Sequence, residues 1–210
     1  MAFRALISDF GGVLTNPLWE AFSGWNERVG ADPGVLGRAL QEAAEEADGR
    51  HPLYELEKGH ISEAEFVAAV ERHLPGLRLD GFRDIYHSHL HANEPMISFL
   101  RELRDRGLRL ALCTNNIREW EPLWRAKLPV DEIFDVVVDS AFVGMRKPER
   151  EIYELTLERL GDGVAASDCV FVDDLDVNCD TARELGMHAV QYVSAEQAIA
   201  DIESALADGP

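Results

Sequence analysis

Apolar residues gather in five short runs, at 4–9 (RALISD), 108–114 (LRLALCT), 134–139 (FDVVVD), 169–173 (CVFVD) and 188–193 (HAVQYV). These runs are continuous rather than alternating, which predicts strands covered on both faces, as in a parallel sheet. Between the later runs the apolar positions change to helical spacing. Ile97, Leu100 and Leu103 form one stripe ahead of Gly107, and Ile152, Leu155 and Leu160 form another ahead of Gly161. A third helix, at 177–185, stops at Gly186, and Ser194-Ala-Glu-Gln197 has the form of a capping box opening a last helix. Strand and helix in alternation predict an α/β fold with a doubly wound, Rossmann-like parallel-sheet core.

The stretch between the first two strands breaks this rhythm. From 17 to 93 no run reads as a strand, and Ser62-Glu-Ala-Glu65 is a second capping box leading into Phe66, Val67 and Val70. The chain therefore divides into a core of 1–16 and 94–210 and a helical insert of 17–93. Trp19, Phe22 and Trp25 recur at helical spacing and predict packing between helices of the insert. His87, His89 and His91 alternate, but on a helix only His87 and His91 share a face, which argues against a common metal site.

Ligands of parallel α/β sheets bind beyond the carboxyl ends of the strands. Here those ends carry Asp9, Thr114-Asn115-Asn116, the GMRKP segment with Lys147, and Asp173-Asp174, with Asn178 just behind. A single aspartate after a strand often only caps the next helix. Three carboxylates brought to one edge with a hydroxyl and a lysine need a stronger explanation. Their mutual repulsion is relieved by a hard divalent cation, and oxygen-only ligation suits Mg²⁺ that also meets a phosphate.

Composition limits the partners. The 210 residues include 39 acidic and 20 basic side chains, a formal charge of −19. Such a field repels nucleic acid, so an anionic substrate needs local cations at the site. No apolar run reaches membrane-spanning length, and the first is too short for a signal sequence, so a cytoplasmic protein is expected, as monomer or homodimer. Cys113, Cys169 and Cys179 have no zinc-site spacing and read as buried apolar residues.

The motifs, taken in order, resemble those of the haloacid dehalogenase superfamily, most of whose members are phosphatases. The resemblance rests on Asp9-Phe-Gly-Gly-Val-Leu14, the strand into Thr114, Lys147-Pro148 and Phe171-Val-Asp-Asp174. The LCTNN, MRKPEREIYE and FVDDLDVN segments are similar to the subgroup containing the N-terminal phosphatase domain of soluble epoxide hydrolase. The resemblance implies a C1-type cap formed by the insert, hinged near 15–17 and 92–95, and a small phosphorylated metabolite as substrate. It implies Asp9 as nucleophile, with Mg²⁺ held by Asp9, the Gly11 carbonyl and Asp174, and with Asp173 acting through water or from behind. Gly12, Thr114, Asn115 and Lys147 would hold the phosphoryl group, with Thr114 and Lys147 assisting catalysis.

One position departs from the pattern. Two residues after the nucleophile the family's phosphatases usually carry a second aspartate, which protonates the leaving oxygen; here that residue is Gly11. Loss of a general acid typically costs about 10²–10⁴-fold in rate. Three readings follow: a phosphatase suited to easily departing groups, a catalytically weak phosphometabolite-binding regulator, and a metal-independent 2-haloacid dehalogenase. The Asp173-Asp174 pair weighs against the last.

Overall fold

The computed structural model describes residues 3–30, 32 and 34–209, without the side chain of Phe22. Five parallel strands form one sheet in the order β3-β2-β1-β4-β5: β1 (Ala5–Ser8), β2 (Arg109–Thr114), β3 (Val136–Asp139), β4 (Cys169–Asp173) and β5 (His188–Gln191). The predicted strands are all present, and all but the fourth are shorter than the apolar runs. Side chains alternate across the sheet. Leu6, Leu110, Leu112, Val170 and Val172 enter one core, while Ala5, Ile7, Ala111, Cys113 and Phe171 enter the other. Burial on both sides explains the unbroken apolar runs.

Five helices form the insert that follows β1. They are α1 (Leu18–Val29), α2 (Val35–Glu46), α3 (Pro52–Glu57), α4 (Glu63–Glu71) and α5 (Phe82–His89). The Ser62 capping box at the start of α4 is formed in both directions. Trp25 is buried against Phe82 as predicted, but Trp19 is 66% exposed, so the expected stripe is incomplete. Trp19 and Trp25 are six positions apart, which turns them to different faces of α1. Phe22 of that stripe lies outside the described side chains. Because α5 ends at His89, His91 does not share its face with His87.

The chain leaves and re-enters the sheet region through two segments tied together. Thr15 and Ala92 form an antiparallel bridge, Asn16 N–H donates to His91 O at 3.0 Å, and Asn93 N–H donates to Leu14 O at 2.9 Å. These are the expected hinge positions.

The remaining helices complete the two layers: α6 (Glu94–Asp105), α7 (Glu121–Arg125), α8 (Val130–Ile133), α9 (Ser140–Val143), α10 (Arg150–Leu160), α11 (Asp176–Glu184) and α12 (Ala195–Asp208). The apolar stripe of α6 (Met96, Ile97, Phe99, Leu100, Leu103) is buried as its spacing predicts. The Ser194 capping box opens α12. All three cysteines are buried and free. No helix among the described residues is long and apolar enough to cross a membrane.

Candidate active site

β1 lies in the middle of the sheet, paired to β2 on one side and β4 on the other. Its register continues one residue further, where Asp9 N–H donates to Val172 O at 2.9 Å. Asp9 is thereby fixed at the centre of the carboxyl edge, between the ends of β2 at Thr114 and β4 at Asp173. Three buried groups meet there. Lys147, 1% exposed, donates to Asp9 Oδ1 and to Asp173 Oδ2, each at 2.6 Å. A buried ammonium is tolerable only when paired in this way.

Each partner is held from behind. Asp173 Oδ1 accepts from Leu175 N–H and from Asn178 Nδ2, both at 2.9 Å, and Tyr153 Oη donates to Asn178 O. The side chain of Asn115 bonds the Lys147 backbone twice: Nδ2 donates to Lys147 O at 2.9 Å, and Lys147 N–H donates to Oδ1 at 2.8 Å. The sequence pointed to the Asn115 backbone; the structure adds a side chain that positions the lysine. Thr114, 1% exposed, lines the cavity beside Asp9.

Asp9, Asp173 and Asp174 each bring one oxygen within 4.8 Å of the others. Gly12 makes that approach possible. Its φ is +79°, and a Cβ there would stand 2.5 Å from Asp174 Oδ2. Its N–H donates to Thr15 Oγ1 at 3.0 Å.

The electrostatics reflect crowding. Burial pushes the Asp9 carboxyl up to about 7; Lys147 opposes this, while Asp173 and Asp174 add to it. Burial and then Asp173 push Asp174 up to about 6. Burial alone would pull Lys147 down, but Asp173 and Asp9 outweigh it and hold the ammonium above the ordinary lysine range. Three carboxylates against one ammonium leave excess negative charge on a compact set of oxygen donors. That donor set fits a hard divalent cation.

Gly11 opens on the other side. Its φ is not in the left-handed region, and a Cβ there would meet the Leu18 side chain at 3.0 Å. Leu18 therefore borders the slot that a second aspartate would fill. Beyond Gly11 and Thr114 lies a cavity of about 220 Å³ between the insert and the sheet edge. Its walls are overwhelmingly apolar, with Leu18, Leu40, Leu56 and Phe66 from the insert facing Phe10 and Trp124. The sequence did not reveal this cavity, because its lining is drawn from separate elements between positions 10 and 124.

The insert is fastened over the cavity by polar contacts that sequence reading also missed. Arg146 Nε donates to Glu57 Oε2 at 2.6 Å, and its guanidinium lies 4.0 Å from the centre of the Tyr54 ring. Lys58 pairs with Glu149, and Trp120 Nε1 donates to Glu63 Oε1 at 3.0 Å. Burial raises the Glu57 carboxyl, against the pull of Arg146.

A parallel α/β sheet with an aspartate, a lysine and an acidic pair at its carboxyl edge defines a hydrolase class, and comparison with known proteins gives its family. Residues 3–186 match the haloacid dehalogenase-like hydrolases, and the chain belongs to that family. It is 26% identical over 97% of its length to the bifunctional epoxide hydrolase 2 of Sus scrofa, of which it spans 39%. It is 28% identical to the sesquiterpene phosphatase astK of Aspergillus oryzae, over 88% of this chain and 87% of that one. Among solved structures, a family enzyme from Bacteroides thetaiotaomicron, in complex with magnesium and inorganic phosphate, has a TM-score of 0.65. That match covers 91% of this chain and 94% of that one at 23% identity, a likeness of fold.

Proposed function

We propose that the protein is a Mg²⁺-dependent phosphatase acting on phosphate monoesters whose organic part is apolar. The observation that carries this reading is the apolar cavity whose lining includes Phe10 and Gly11, the two residues that follow Asp9 of the acidic cluster. Asp9, the Gly11 carbonyl and Asp174 would hold Mg²⁺, with Asp173 behind them. The ion would supply positive charge to the phosphoryl oxygens, which the overall charge of −19 otherwise repels.

The chain's own residues would do the rest. An Asp9 carboxylate oxygen attacks phosphorus, the P–O bond to the organic group breaks, and an aspartyl-phosphate forms. Lys147 holds Asp9 in place and offsets charge on the transferring group, while Thr114 and the Asn115 N–H receive phosphoryl oxygens. Water then attacks the aspartyl-phosphate, regenerating Asp9 and releasing inorganic phosphate. Residues 17–93 act as a cap that excludes bulk water, with the Glu57–Arg146 pair as its fastening. The sesquiterpene phosphatase among the relatives is consistent with an apolar ester.

Gly11 leaves the departing oxygen to take its proton from water. Rates should therefore fall steeply as leaving-group pKa rises across a series of aryl and alkyl phosphates, all with Mg²⁺. Gly11→Asp should flatten that slope, more so with Leu18→Ala to clear the contact at 3.0 Å. A flat slope in the unaltered protein would reveal another acid and contradict this reading of Gly11. Leu18 in the acid's place also favours a second reading, a phosphate-ester-binding regulator of low turnover. Tight Mg²⁺-dependent binding without multiple turnover on any ester would establish that alternative.

A further inference from the structure

His87 sits on α5 in the wall of the apolar cavity and is 7% exposed. Neither Nδ1 nor Nε2 has a hydrogen-bond partner among the described residues. Its ring is held edge-on by Tyr86 and Trp120, with centroids 5.3 and 5.0 Å away. Its backbone carbonyl accepts from Lys127 Nζ at 2.6 Å, which fixes the turn that carries it. A buried, unpaired polar group costs about 1–3 kcal/mol, and such exceptions call for a cause. A leucine or phenylalanine would fill this site without that cost.

The ring is neutral near pH 7. Burial, then Lys127 and Arg83, pull it down to about 4, against Asp84. A neutral imidazole presents one donor and one acceptor. His87 shares the cavity wall with the apolar lining, and a ring kept neutral is a poor proton donor, so it is not the missing acid.

We propose that His87 is a specificity residue that hydrogen-bonds a hydroxyl carried on the otherwise apolar organic part of the substrate. A hydroxyl can both donate and accept, so it suits either tautomer of the ring. The proposal rests on the phosphate-ester reading above and adds that the preferred esters are oxygenated hydrocarbons, not plain ones.

Calorimetric titration with Mg²⁺ of ethyl phosphate, octyl phosphate and the hydroxyoctyl phosphates, with the hydroxyl moved carbon by carbon, separates the two claims. Octyl phosphate should bind far tighter than ethyl phosphate. One hydroxyoctyl isomer should bind about tenfold tighter than octyl phosphate, the scale of one well-made buried hydrogen bond. In His87→Leu that order should invert, with every hydroxylated isomer weaker than octyl phosphate, and the melting temperature should be unchanged or higher. His87→Gln should keep part of the preference. If octyl phosphate binds no tighter than ethyl phosphate, the apolar-ester reading itself is wrong. If octyl phosphate binds tightly but no isomer exceeds it, or the preference survives in His87→Leu, the His87 proposal alone is overturned.

Discussion

Gly11 and Gly12 are neighbours with different reasons for being glycine. Gly12 has a left-handed backbone and stands against Asp174, so any side chain there both strains the chain and pushes a carboxylate aside. Gly12→Ala should cost about 1–2 kcal/mol in stability from backbone conformation alone. It should also weaken Mg²⁺ binding, both read by urea denaturation with and without the ion. Gly11 has no such restriction, so its lack of a side chain bears on chemistry and on the Leu18 contact rather than on chain path. Lys147 is the opposite case, a large buried cation between two carboxylates. Lys147→Met leaves Asp9 and Asp173 unpaired and should destabilise the protein by about 3–5 kcal/mol, with Mg²⁺ recovering part of the loss in thermal melts. The charged residues of this cluster were legible in the sequence because strand ends converge by rule. The grip of Asn115 on Lys147 and the place of Leu18 were not, because both depend on side-chain packing between distant segments.

At the level of elements, local signals read best. Both capping boxes, at Ser62 and Ser194, formed as their sequences indicated, since such bonds need only a few consecutive residues. The strands were legible because burial on both faces leaves an unbroken apolar run. Features that depend on where a helix ends or turns were harder: α5 stops before His91, and Trp19 faces outward. The contact between α3 and the segment before α10 had no sequence signature, although Glu57 and Arg146 are only 15% and 14% exposed as side chains. A double-mutant cycle on Glu57→Gln and Arg146→Met should give a coupling above the roughly 1 kcal/mol ceiling of surface ion pairs. A coupling near zero would mean that this pair does not fasten the insert.

Across the whole molecule, acidity shapes both stability and ligand choice. Asp9 and Asp174 are raised in the fold, so the folded protein retains their protons at pH values where the unfolded chain has lost them. Their contribution to stability is accordingly lost as pH rises from about 4 through about 7, before any ion is added. Mg²⁺ binds the deprotonated oxygens, so the rise in melting temperature that it causes should grow between pH 5 and pH 8. A shift of equal size at both pH values would place the ion elsewhere. The fold and the acidic edge were readable from one chain because each follows from periodicity and topology. The cavity was not, since its walls come together only when the insert folds over the sheet.

If Asp9 attacks phosphorus, the aspartyl-phosphate can be trapped during turnover. The protein is mixed with Mg²⁺ and excess 4-nitrophenyl phosphate, quenched in acid during turnover and digested for mass spectrometry. One phosphoryl group is expected on the peptide carrying Asp9, absent without Mg²⁺ and absent in Asp9→Asn. Sustained release of nitrophenol with no phosphoryl adduct at Asp9, or with turnover intact in Asp9→Asn, would contradict it.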